Sequence, residues 1–373
     1  MTTKKSLKIV QTLRDHGHIA YYAGGFVRDL LLNQKSDEVD NATSASPSEV
    51  QKLFAKTIPV GISFGVVIVV IDNVSFEVAT FRSDGAYVDG RHPQGVHFSS
   101  PEEDAQRRDF TINGMFFDPL TEEILDFVGG QEDLQKKIIR AIGDPQKRFA
   151  EDRLRMIRAV RFAARFGFTI ESKTAEAIKK YAHLLFPSVS MERVWQEFNK
   201  MIHIDQALLK MREFGLLQTI FPQVDFSHLE ECVKPFPKFP KETPTILYLR
   251  EILPDTKNLI VYMKASNQDQ KLLDYFDKTN HDLYDWTQFY KSPHHSLFLE
   301  IEKAKGHDIG EHIKRIEMLK SHIERDRPVV SSAMLKERGI EPGPKMGQLL
   351  EQAERLAINE NLSADEVLKR LLQ

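Results

Sequence analysis

The spacing of apolar residues predicts that the first part of the chain mixes strands with helices. Four runs have the composition and length of strands, namely residues 19–22, 66–71, 75–81 and 124–128. Asp72 and Asn73 separate two of these runs and are typical turn residues, so we expect a β-hairpin there. A helix is predicted over 47–56, with Ser46 as its N-cap and Pro47 at its first position.

Helical spacing dominates after Gly143. Residues 147–221 contain few β-branched runs, and the remainder from Pro222 also has helical patterning. Prolines cluster within residues 235–244 and indicate an irregular connection there. The predicted strands therefore precede most of the helices along the chain. This order is typical of an α+β region followed by an all-α region, and it argues against a doubly wound fold.

Composition narrows the class of protein. The 373 residues are enough for two or three domains, and the formal net charge of −3 counts against wide non-specific binding to nucleic acid. A local basic groove remains compatible with that charge. The single cysteine, Cys232, excludes an intrachain disulfide and a Cys-rich zinc site, and it fits the reducing cytoplasm. No apolar run approaches the roughly 18–20 residues of a membrane span, so we expect no membrane partner.

Acidic residues form the first candidate site. Glu38 and Asp40 lie two residues apart, and on a strand such residues point to the same face. Glu77 lies on another predicted strand and shares its face with small neighbours. Carboxylates placed together repel, and a hard divalent cation such as Mg²⁺ resolves that repulsion. The alternatives are a solvated acidic turn for the first pair and a cross-strand ion pair for Glu77.

A glycine pair forms the second candidate site. Gly24 and Gly25 follow a predicted strand and open a short helix, with Arg28 one turn in. Glycines permit close approach of the backbone, and a helix N-terminus favours anions, so the segment is suited to phosphate. The alternative interpretation is an ordinary turn.

A predicted helix over 151–161 carries the third candidate site. Asp152 and Arg155 lie three residues apart and would face together, and Arg158 continues that row, with Arg161 one turn further. Residues 134–165 contain ten Lys or Arg against three Asp or Glu, so the region is locally basic. Such a face can bond the edge of a base or hold a triphosphate. A surface helix with internal ion pairs is the alternative.

Residues 107–114 form the last cluster. Arg108, Asp109 and Asn113 combine a cation, an anion and an amide within six positions. Taken alone, the cluster can equally be a helix cap with an ion pair.

In this order the segments closely resemble the class II CCA-adding enzyme and bacterial poly(A) polymerase family. The resemblance spans roughly residues 19–202, and its motifs are residues 24–29, 38–43, 107–113, 151–168 and 190–198. Residues 339–354 also look like the tail of CCA-adding enzymes, and residues 81–93 look like the flexible loop that helps A addition.

The resemblance implies a fold and a division of the chain. The fold is a DNA polymerase β-like nucleotidyltransferase head with a mixed sheet, followed by an all-α neck, body and tail. We expect the catalytic head at residues 1–142, a neck for base recognition and RNA binding at 143–221, and a tRNA-binding body and tail at 222–373.

The resemblance also implies roles for the candidate residues. Glu38 and Asp40 fall where the family has its two metal-binding aspartates, and Glu77 falls near its third carboxylate. Asp152 and Arg155 would act as an amino-acid template for the incoming base. The other expected nucleotide-binding residues are Gly24, Gly25, Arg28, Arg108, Asp109, Asn113, Arg158 and Arg161.

Two positions depart from the family's pattern. Glu38 stands where the family has aspartate, and Asn41 stands where it usually has an apolar residue. Glutamate is a competent ligand for a hard metal but is one methylene longer. A displacement of ~1 Å can cost on the order of 100-fold in rate, so we expect the longer side chain of Glu38 to affect the rate of the reaction.

The activity implied is template-independent addition of CCA to the 3′ end of tRNA from CTP and ATP, by two-metal-ion phosphoryl transfer with release of pyrophosphate. Poly(A) addition and A-only addition share almost all these motifs; the tail and the loop favour CCA addition. A non-catalytic RNA-binding relative is a further alternative. A phosphohydrolase site at His281-Asp282 lacks a partner motif at ligand spacing, and His294, His295 and His307 are expected on the surface. Oligomeric state is left open.

Overall fold

The computed structural model describes residues 2–36, 38–85, 96–256, 258–279, 289–290, 292–314, 317, 328–360 and 362–372. The chain divides into two compact units, Met1–Phe226 and Ser227–Gln373. His281-Asp282 and most of the predicted loop at 81–93 lie outside the described residues.

The first unit contains both strands and helices. Its strands are β1 (Ala20–Ala23), β2 (Asp40–Thr43), β3 (Thr57–Ile58), β4 (Val66–Ile71), β5 (Val74–Thr80), β6 (Arg82–Asp84), β7 (Val96–Phe98), β8 (Phe116–Asp118), β9 (Glu123–Leu125), β10 (Ile138–Ile139) and β11 (Thr169–Ile170). Its helices are α1 (Thr2–Asp15), α2 (Gly25–Leu31), α3 (Pro47–Leu53), α4 (Pro101–Gln106), α5 (Gly130–Lys136), α6 (Pro145–Glu151), α7 (Leu154–Phe166), α8 (Ser172–Tyr181), α9 (Met191–Phe198), α10 (Ile204–Glu213) and α11 (Leu216–Ile220).

A seven-stranded mixed sheet organises this unit. Its strand order is β3-β4-β5-β2-β1-β8-β9, and all its neighbours are antiparallel except β2 and β5, which run parallel. The mixed sheet followed by helices confirms the predicted α+β head and all-α continuation.

Local signals in the sequence account for several elements. Asp72 and Asn73 both adopt positive φ and join β4 to β5, which confirms the predicted hairpin. Ser46 caps α3 by accepting from the backbone N–H of Glu49, and the Glu49 carboxylate accepts from the backbone N–H of Ser46. This reciprocal capping box, with Pro47 at the first position, fixes the start of the helix.

Two predicted elements were wrong in ways that affect the site. The single helix over 151–161 is instead two helices, because Asp152 has an extended backbone (φ −149°, ψ 104°) and separates α6 from α7. Glu38 does not lie on a strand with Asp40, because β2 begins at Asp40 itself. Both differences arise where a polar side chain has a tertiary partner or a cavity to face, which spacing along the chain does not encode.

Helix α7 is a buried element. Ten of its thirteen residues are buried, including Arg155 and Arg161 as well as the apolar Leu154, Ile157 and Phe162. The interpretation as a surface helix with internal ion pairs is therefore wrong.

The second unit is helical in its described part. Its helices are α12 (Leu229–Val233), α13 (Thr245–Ile252), α14 (Leu259–Met263), α15 (Asn267–Thr279), α16 (His295–Lys305), α17 (Ser332–Glu337), α18 (Pro344–Glu360) and α19 (Ala364–Leu371). The last three pack around a core that includes Leu335, Ala353 and Val367. His294 and His295 are half-buried rather than on the surface, since aromatic rings including Tyr275 pack against them. Among the described residues no helix is long and apolar enough to cross a membrane.

Candidate active site

A cavity of about 960 Å³ in the first unit gathers every residue that the sequence predicted for the site. Strands β1, β2 and β5 supply one wall, and helix α7 supplies the other. The predicted residues that line it are Gly24, Gly25, Arg28, Glu38, Asp40, Glu77, Arg108, Asp109, Asn113, Asp152, Arg155, Arg158 and Arg161. Residues separated by more than a hundred positions in sequence thus share one cavity.

Strand register aligns two of the carboxylates. Asn41 of β2 lies opposite Val78 of β5 in a parallel pair, so the preceding residues, Asp40 and Glu77, are the next opposed pair along the two strands. Opposed residues of a parallel pair point to the same face. Ala42 and Ala79 follow on that face, and these small side chains leave space in front of the carboxylates.

The electrostatics of the site disfavour two adjacent anions. Asp40 is open to the cavity, yet the surrounding protein desolvates it enough to raise its pKa; the Arg108 guanidinium opposes this and Glu38 adds to it. Burial, and then the Asp40 carboxylate, raise the pKa of Glu77. Each carboxylate therefore carries a charge that its surroundings do not compensate.

This donor set fits a hard divalent cation. Carboxylate oxygens are the ligands that Mg²⁺ takes, and a cation would offset the burial and the mutual repulsion that raise the pKa of Asp40 and Glu77. Within the described ranges, no three potential ligands are close enough together to form a ready-made metal site. Glu38 precedes β2 and is exposed, so its side chain is the member of the trio that the sheet does not hold.

The glycine turn brings backbone and cations together. Gly24 has φ +65°, and a Cβ atom at this position would lie 3.1 Å from Nη1 of Arg108. Both the backbone conformation and the close guanidinium therefore favour glycine. Gly25 begins α2, and Arg28 of that helix is buried, with Nε 2.8 Å from Oδ1 of Asp29.

Asp104 of α4 holds a pair of arginines. Its Oδ1 accepts from Nε of Arg107 at 2.8 Å, and its Oδ2 accepts from Nη2 of Arg108 at 2.9 Å. Burial acts to raise the pKa of Asp104, but the two guanidinium groups lower it overall. Arg108 also lies over the ring of Phe116, 4.9 Å from its centroid. Its guanidinium is thereby fixed at the cavity beside Gly24.

A chain of hydrogen bonds runs from α2 to α7. Nη1 of Arg28 donates to Oδ1 of Asn113 at 2.6 Å, and Nδ2 of Asn113 donates to Oδ1 of Asp109 at 3.2 Å. Nη2 and Nε of Arg158 donate to Oδ2 of Asp109 at 2.6 and 2.9 Å. Burial acts to raise the pKa of Asp109, but Arg158, Asn113 and the backbone N–H of Phe110 lower it to about 2.

A buried glutamate supports the same row of arginines. Glu197 of α9 accepts from Nε of Arg161 at 2.7 Å and lies 3.5 Å from Nη1 of Arg158. Both guanidinium groups lie over the ring of Phe162, 4.3 and 5.3 Å from its centroid. Burial acts to lower the pKa of Arg158, but Asp109 and Glu197 raise it overall, so Arg158 stays charged.

Asp152 and Arg155 have separate partners rather than each other. Both oxygens of Asp152 accept from the Arg193 guanidinium, at 3.1 and 2.8 Å. Nη1 of Arg155 donates to Glu151 at 2.7 Å and to the backbone carbonyl of Arg148 at 3.1 Å. Nη2 of Arg155 donates to the backbone carbonyl of Arg107 at 3.2 Å. The two side chains still line the same cavity, and these partners fix the position of each.

Several lining residues were missed or assigned otherwise from the sequence. Phe162 was given no place in the site from the sequence, yet it lines the cavity as the ring beneath the arginines. Lys200 follows the helix that carries Glu197 and had no motif to mark it. The lining includes nine basic side chains against five acidic ones: Arg28, Arg82, Arg107, Arg108, Arg155, Arg158, Arg161, Arg165 and Lys200 against Glu38, Asp40, Glu77, Asp109 and Asp152.

The charge distribution is suited to a nucleoside triphosphate with a divalent cation. The basic side chains belong mainly to α2, to α7 and to the two residues that follow α4, whereas the exposed carboxylates belong to β2, β5 and the segment before β2. Arginine is the side chain best suited to phosphate oxygens, because its planar group donates two parallel hydrogen bonds.

Comparison with known proteins identifies the family of the chain. Family models for the poly A polymerase head domain and for a probable RNA- and SrmB-binding site of polymerase A match residues 20–140 and 167–227. The CCA-adding enzyme of Lactobacillus helveticus (strain DPC 4571) is 35% identical over 391 aligned residues, covering 98% of this chain and 96% of that enzyme. The CCA-adding enzyme of Anoxybacillus flavithermus (strain DSM 21510 / WK1) is 46% identical over 200 residues, which are 53% of this chain and 50% of that enzyme.

Solved structures give the same assignment. The Bacillus stearothermophilus CCA-adding enzyme in complex with CTP superposes with a TM-score of 0.78 at 27% identity, covering 99% of this chain and 97% of that one. The Thermotoga maritima CCA-adding enzyme complexed with tRNA has a TM-score of 0.67 at 20% identity, with 98% and 93% covered, and shows likeness of fold alone. The resemblance found in the sequence is confirmed, and the chain belongs to the CCA-adding enzyme family of nucleotidyltransferases.

Proposed function

We propose that this chain adds CCA to the 3′ end of tRNA in the cytoplasm, using CTP and ATP and releasing pyrophosphate. The observation that carries the proposal is the single cavity in which sheet carboxylates face a row of arginines. Membership of the CCA-adding family supports the choice of tRNA as the acceptor. The structure of a relative in complex with CTP supports the choice of nucleotide.

The triphosphate is assigned to the arginines of α2, of α7 and of the segment that follows α4. Arg28 and Arg108 flank the Gly24-Gly25 turn, where the backbone can approach a phosphate closely. Arg158 and Arg161 approach from α7. Their charges are fixed by Asp109 and Glu197 before the nucleotide arrives, so little reorganisation is needed on binding.

The base is assigned to Asp152 and Arg155. Oδ1 of Asp152 accepts from Arg193 and from the backbone N–H of Leu154. Of the contacts that the structure describes, Oδ2 accepts from Arg193 alone, so its second lone pair can accept from an exocyclic amino group. Among the described contacts, Arg155 uses three of its five N–H donors, which leaves Nε–H and one Nη2 hydrogen to donate to a base.

This donor and acceptor pattern explains the choice of nucleotides. Cytosine and adenine each present an amino group beside an unprotonated ring nitrogen, so they match an acceptor beside a donor. Guanine and uracil present a carbonyl beside a ring N–H, which would oppose acceptor to acceptor and donor to donor. Leaving a buried polar group unpaired is costly, so Asp152 and Arg155 would exclude both.

Glu38, Asp40 and Glu77 are assigned as the acidic side of the reaction, with Glu38 and Asp40 as the Mg²⁺ ligands and Glu77 as the third carboxylate. When bound, magnesium neutralises charge on the triphosphate and lowers the pKa of the attacking 3′-hydroxyl. The chain's own part is to hold the carboxylates on adjacent strands and to align the triphosphate along α7, so that attacking and leaving oxygens lie in line.

The division of labour along the chain is part of the proposal. Residues 1–142 would form the catalytic head and residues 143–221 the neck that reads the base and contacts RNA. Residues 222–373 would form the body and tail that hold the tRNA. The match of the family's RNA-binding region to residues 167–227 supports an RNA contact in the neck.

The experiment offers the purified protein tRNAs that lack the last one, two or three nucleotides, with CTP and ATP singly and together. We expect CTP alone to extend the shortest tRNA by two nucleotides, and both nucleotides together to complete it and stop. A long A-tail would instead mean poly(A) addition. No incorporation under any condition would mean a non-catalytic RNA-binding protein.

A further inference from the structure

A buried amide lies directly behind the acidic side of the cavity. Asn41 follows Asp40 on β2, and its side chain is 1% exposed. Nδ2 of Asn41 is 3.3 Å from the backbone carbonyl of Val39 and 3.3 Å from that of Glu77. One side-chain amide therefore contacts the peptide groups next to both opposed carboxylates.

Ser6 of α1 fixes the orientation of this amide. Its side chain is fully buried, and its hydroxyl donates to Oδ1 of Asn41 at 2.8 Å. The two backbone carbonyls can only accept, so the NH₂ end of Asn41 must face them and its oxygen must face the hydroxyl. All the polar atoms of the Asn41 side chain thus have a partner, and only one orientation satisfies them.

The strand register shows that the Asn41 contact lies where the backbone pairing of β2 with β5 ends. Backbone pairing between β2 and β5 extends only as far as Asn41 and Val78. Asp40, the first residue of β2, and Glu77, in the middle of β5, lie one step beyond this last pair, and their like charges act to separate the two strands there. The Asn41 amide spans the two strands at that step and opposes the separation.

We propose that Asn41, oriented by Ser6, is a positioning residue that holds the Asp40 and Glu77 carboxylates at the spacing a divalent cation requires. The inference rests on the proposed function for the cation at Asp40 and for Glu77 as the third carboxylate beside it. Asn41 itself does not bind the cation: its oxygen accepts from Ser6 and its NH₂ group donates to backbone carbonyls.

Thr43 offers a matched control on the same strand. It is fully buried, lies two residues further along β2 on the same face as Asn41, and hydrogen-bonds through its hydroxyl to the backbone of Ile19 and Ala45. Thr43→Val removes buried hydrogen bonds from β2 without touching the peptide groups of Asp40 or Glu77. A purely structural role for Asn41 predicts that both substitutions behave alike.

The experiment titrates the full chain with Mn²⁺ alone and follows free Mn²⁺ by electron paramagnetic resonance. Asn41→Val should weaken Mn²⁺ binding by about 10- to 100-fold, as loss of a group that orients a metal ligand does. Ser6→Ala should weaken it less but in the same direction, and Thr43→Val should leave it within about twofold of the wild type. Thermal unfolding of each variant, recorded alongside, shows how much each substitution destabilises the fold.

Equal Mn²⁺ affinity in Asn41→Val and the wild type would overturn the inference, as would an equal loss in Thr43→Val. If Asn41→Val does not fold, the Mn²⁺ affinity of Ser6→Ala takes its place, and an affinity equal to that of the wild type would overturn the inference. A wild-type chain that binds no Mn²⁺ also overturns it. A wild-type chain that binds Mn²⁺ but never extends tRNA refutes the proposed function instead, and the Mn²⁺ series then judges Asn41 independently.

Discussion

Replacing Asp109 by asparagine should reveal how strongly the cavity is pre-organised. Asp109 joins Arg158 to Asn113, and through Asn113 it reaches Arg28. Asparagine keeps the size of the side chain but removes the charge. Of the ion pairs described for Arg158, the more distant one to Glu197, at 3.5 Å, would remain, so its guanidinium would be held less firmly at the cavity.

The pKa of Asp109 sets the size of the effect. It falls from the ordinary 3.8 to about 2, a shift worth about 2–3 kcal/mol of the free energy of unfolding. Because the folded-state pKa lies below the unfolded one, this stabilisation is complete well above about pH 4. It declines as the pH falls through about 2, and about half remains at pH 3.

Urea unfolding of the first unit measures this energy. Trp195, buried in α9, reports on that unit when the only other tryptophan is removed by Trp286→Phe. We expect Asp109→Asn to lower the free energy of unfolding by about 2–3 kcal/mol between pH 5 and 7, and by less below pH 4. It should also raise the KM for CTP and ATP more than it lowers kcat. A loss below about 1 kcal/mol, or one that grows on acidification, would refute the reasoning.

Three further substitutions test other parts of the site. Asp40→Asn should abolish nucleotide addition while raising the melting temperature in metal-free buffer, since the pKa of this carboxyl is raised and its charge destabilises the fold above that pKa; a lowered melting temperature would contradict this. Gly24→Ala should raise the KM for nucleotide several-fold or more, because the new Cβ meets Arg108 at 3.1 Å and the φ of +65° is strained for alanine; unchanged kinetics would count against the phosphate assignment. Arg193→Met should release Asp152 and increase misincorporation of UTP or GTP, measured by sequencing the extended tRNA ends; unchanged fidelity would show that Asp152 needs no support.

The sequence predicted elements well where their signals are local. The N-cap at Ser46 and the hairpin turn at Asp72-Asn73 depend on neighbours within a few residues, and both are present as predicted. Composition and order also sufficed for the mixed head followed by helices. These features need no knowledge of distant contacts.

Tertiary contacts account for what the sequence could not give. The break between α6 and α7 is stabilised by Asp152, which caps the end of α6 and binds Arg193 from a helix further along the chain. Helical periodicity alone would have continued through it, and it did so in the prediction. The buried partners of the arginines, Asp104 and Glu197, were likewise not assigned roles, because an acidic residue on a helix resembles any solvated one until its neighbours are known.

The role of Asn41 is a further feature that the sequence did not predict. In the sequence it was only a departure from the family's pattern at a strand edge. In the structure it is a fully hydrogen-bonded group between two strands, with Ser6 as the partner that makes a polar residue tolerable there. A residue whose partner lies 35 positions away gives no periodic signal.

Anomalous diffraction from Mn²⁺ in crystals of the chain with a non-hydrolysable CTP analogue tests the account most directly. We expect a Mn²⁺ peak between Asp40 and the triphosphate, with the phosphates against Arg158 and the cytosine edge facing Asp152 and Arg155. Mn²⁺ bound away from Asp40, or a cytosine edge turned from Asp152 and Arg155, would contradict the joint role of sheet and helix in one active site.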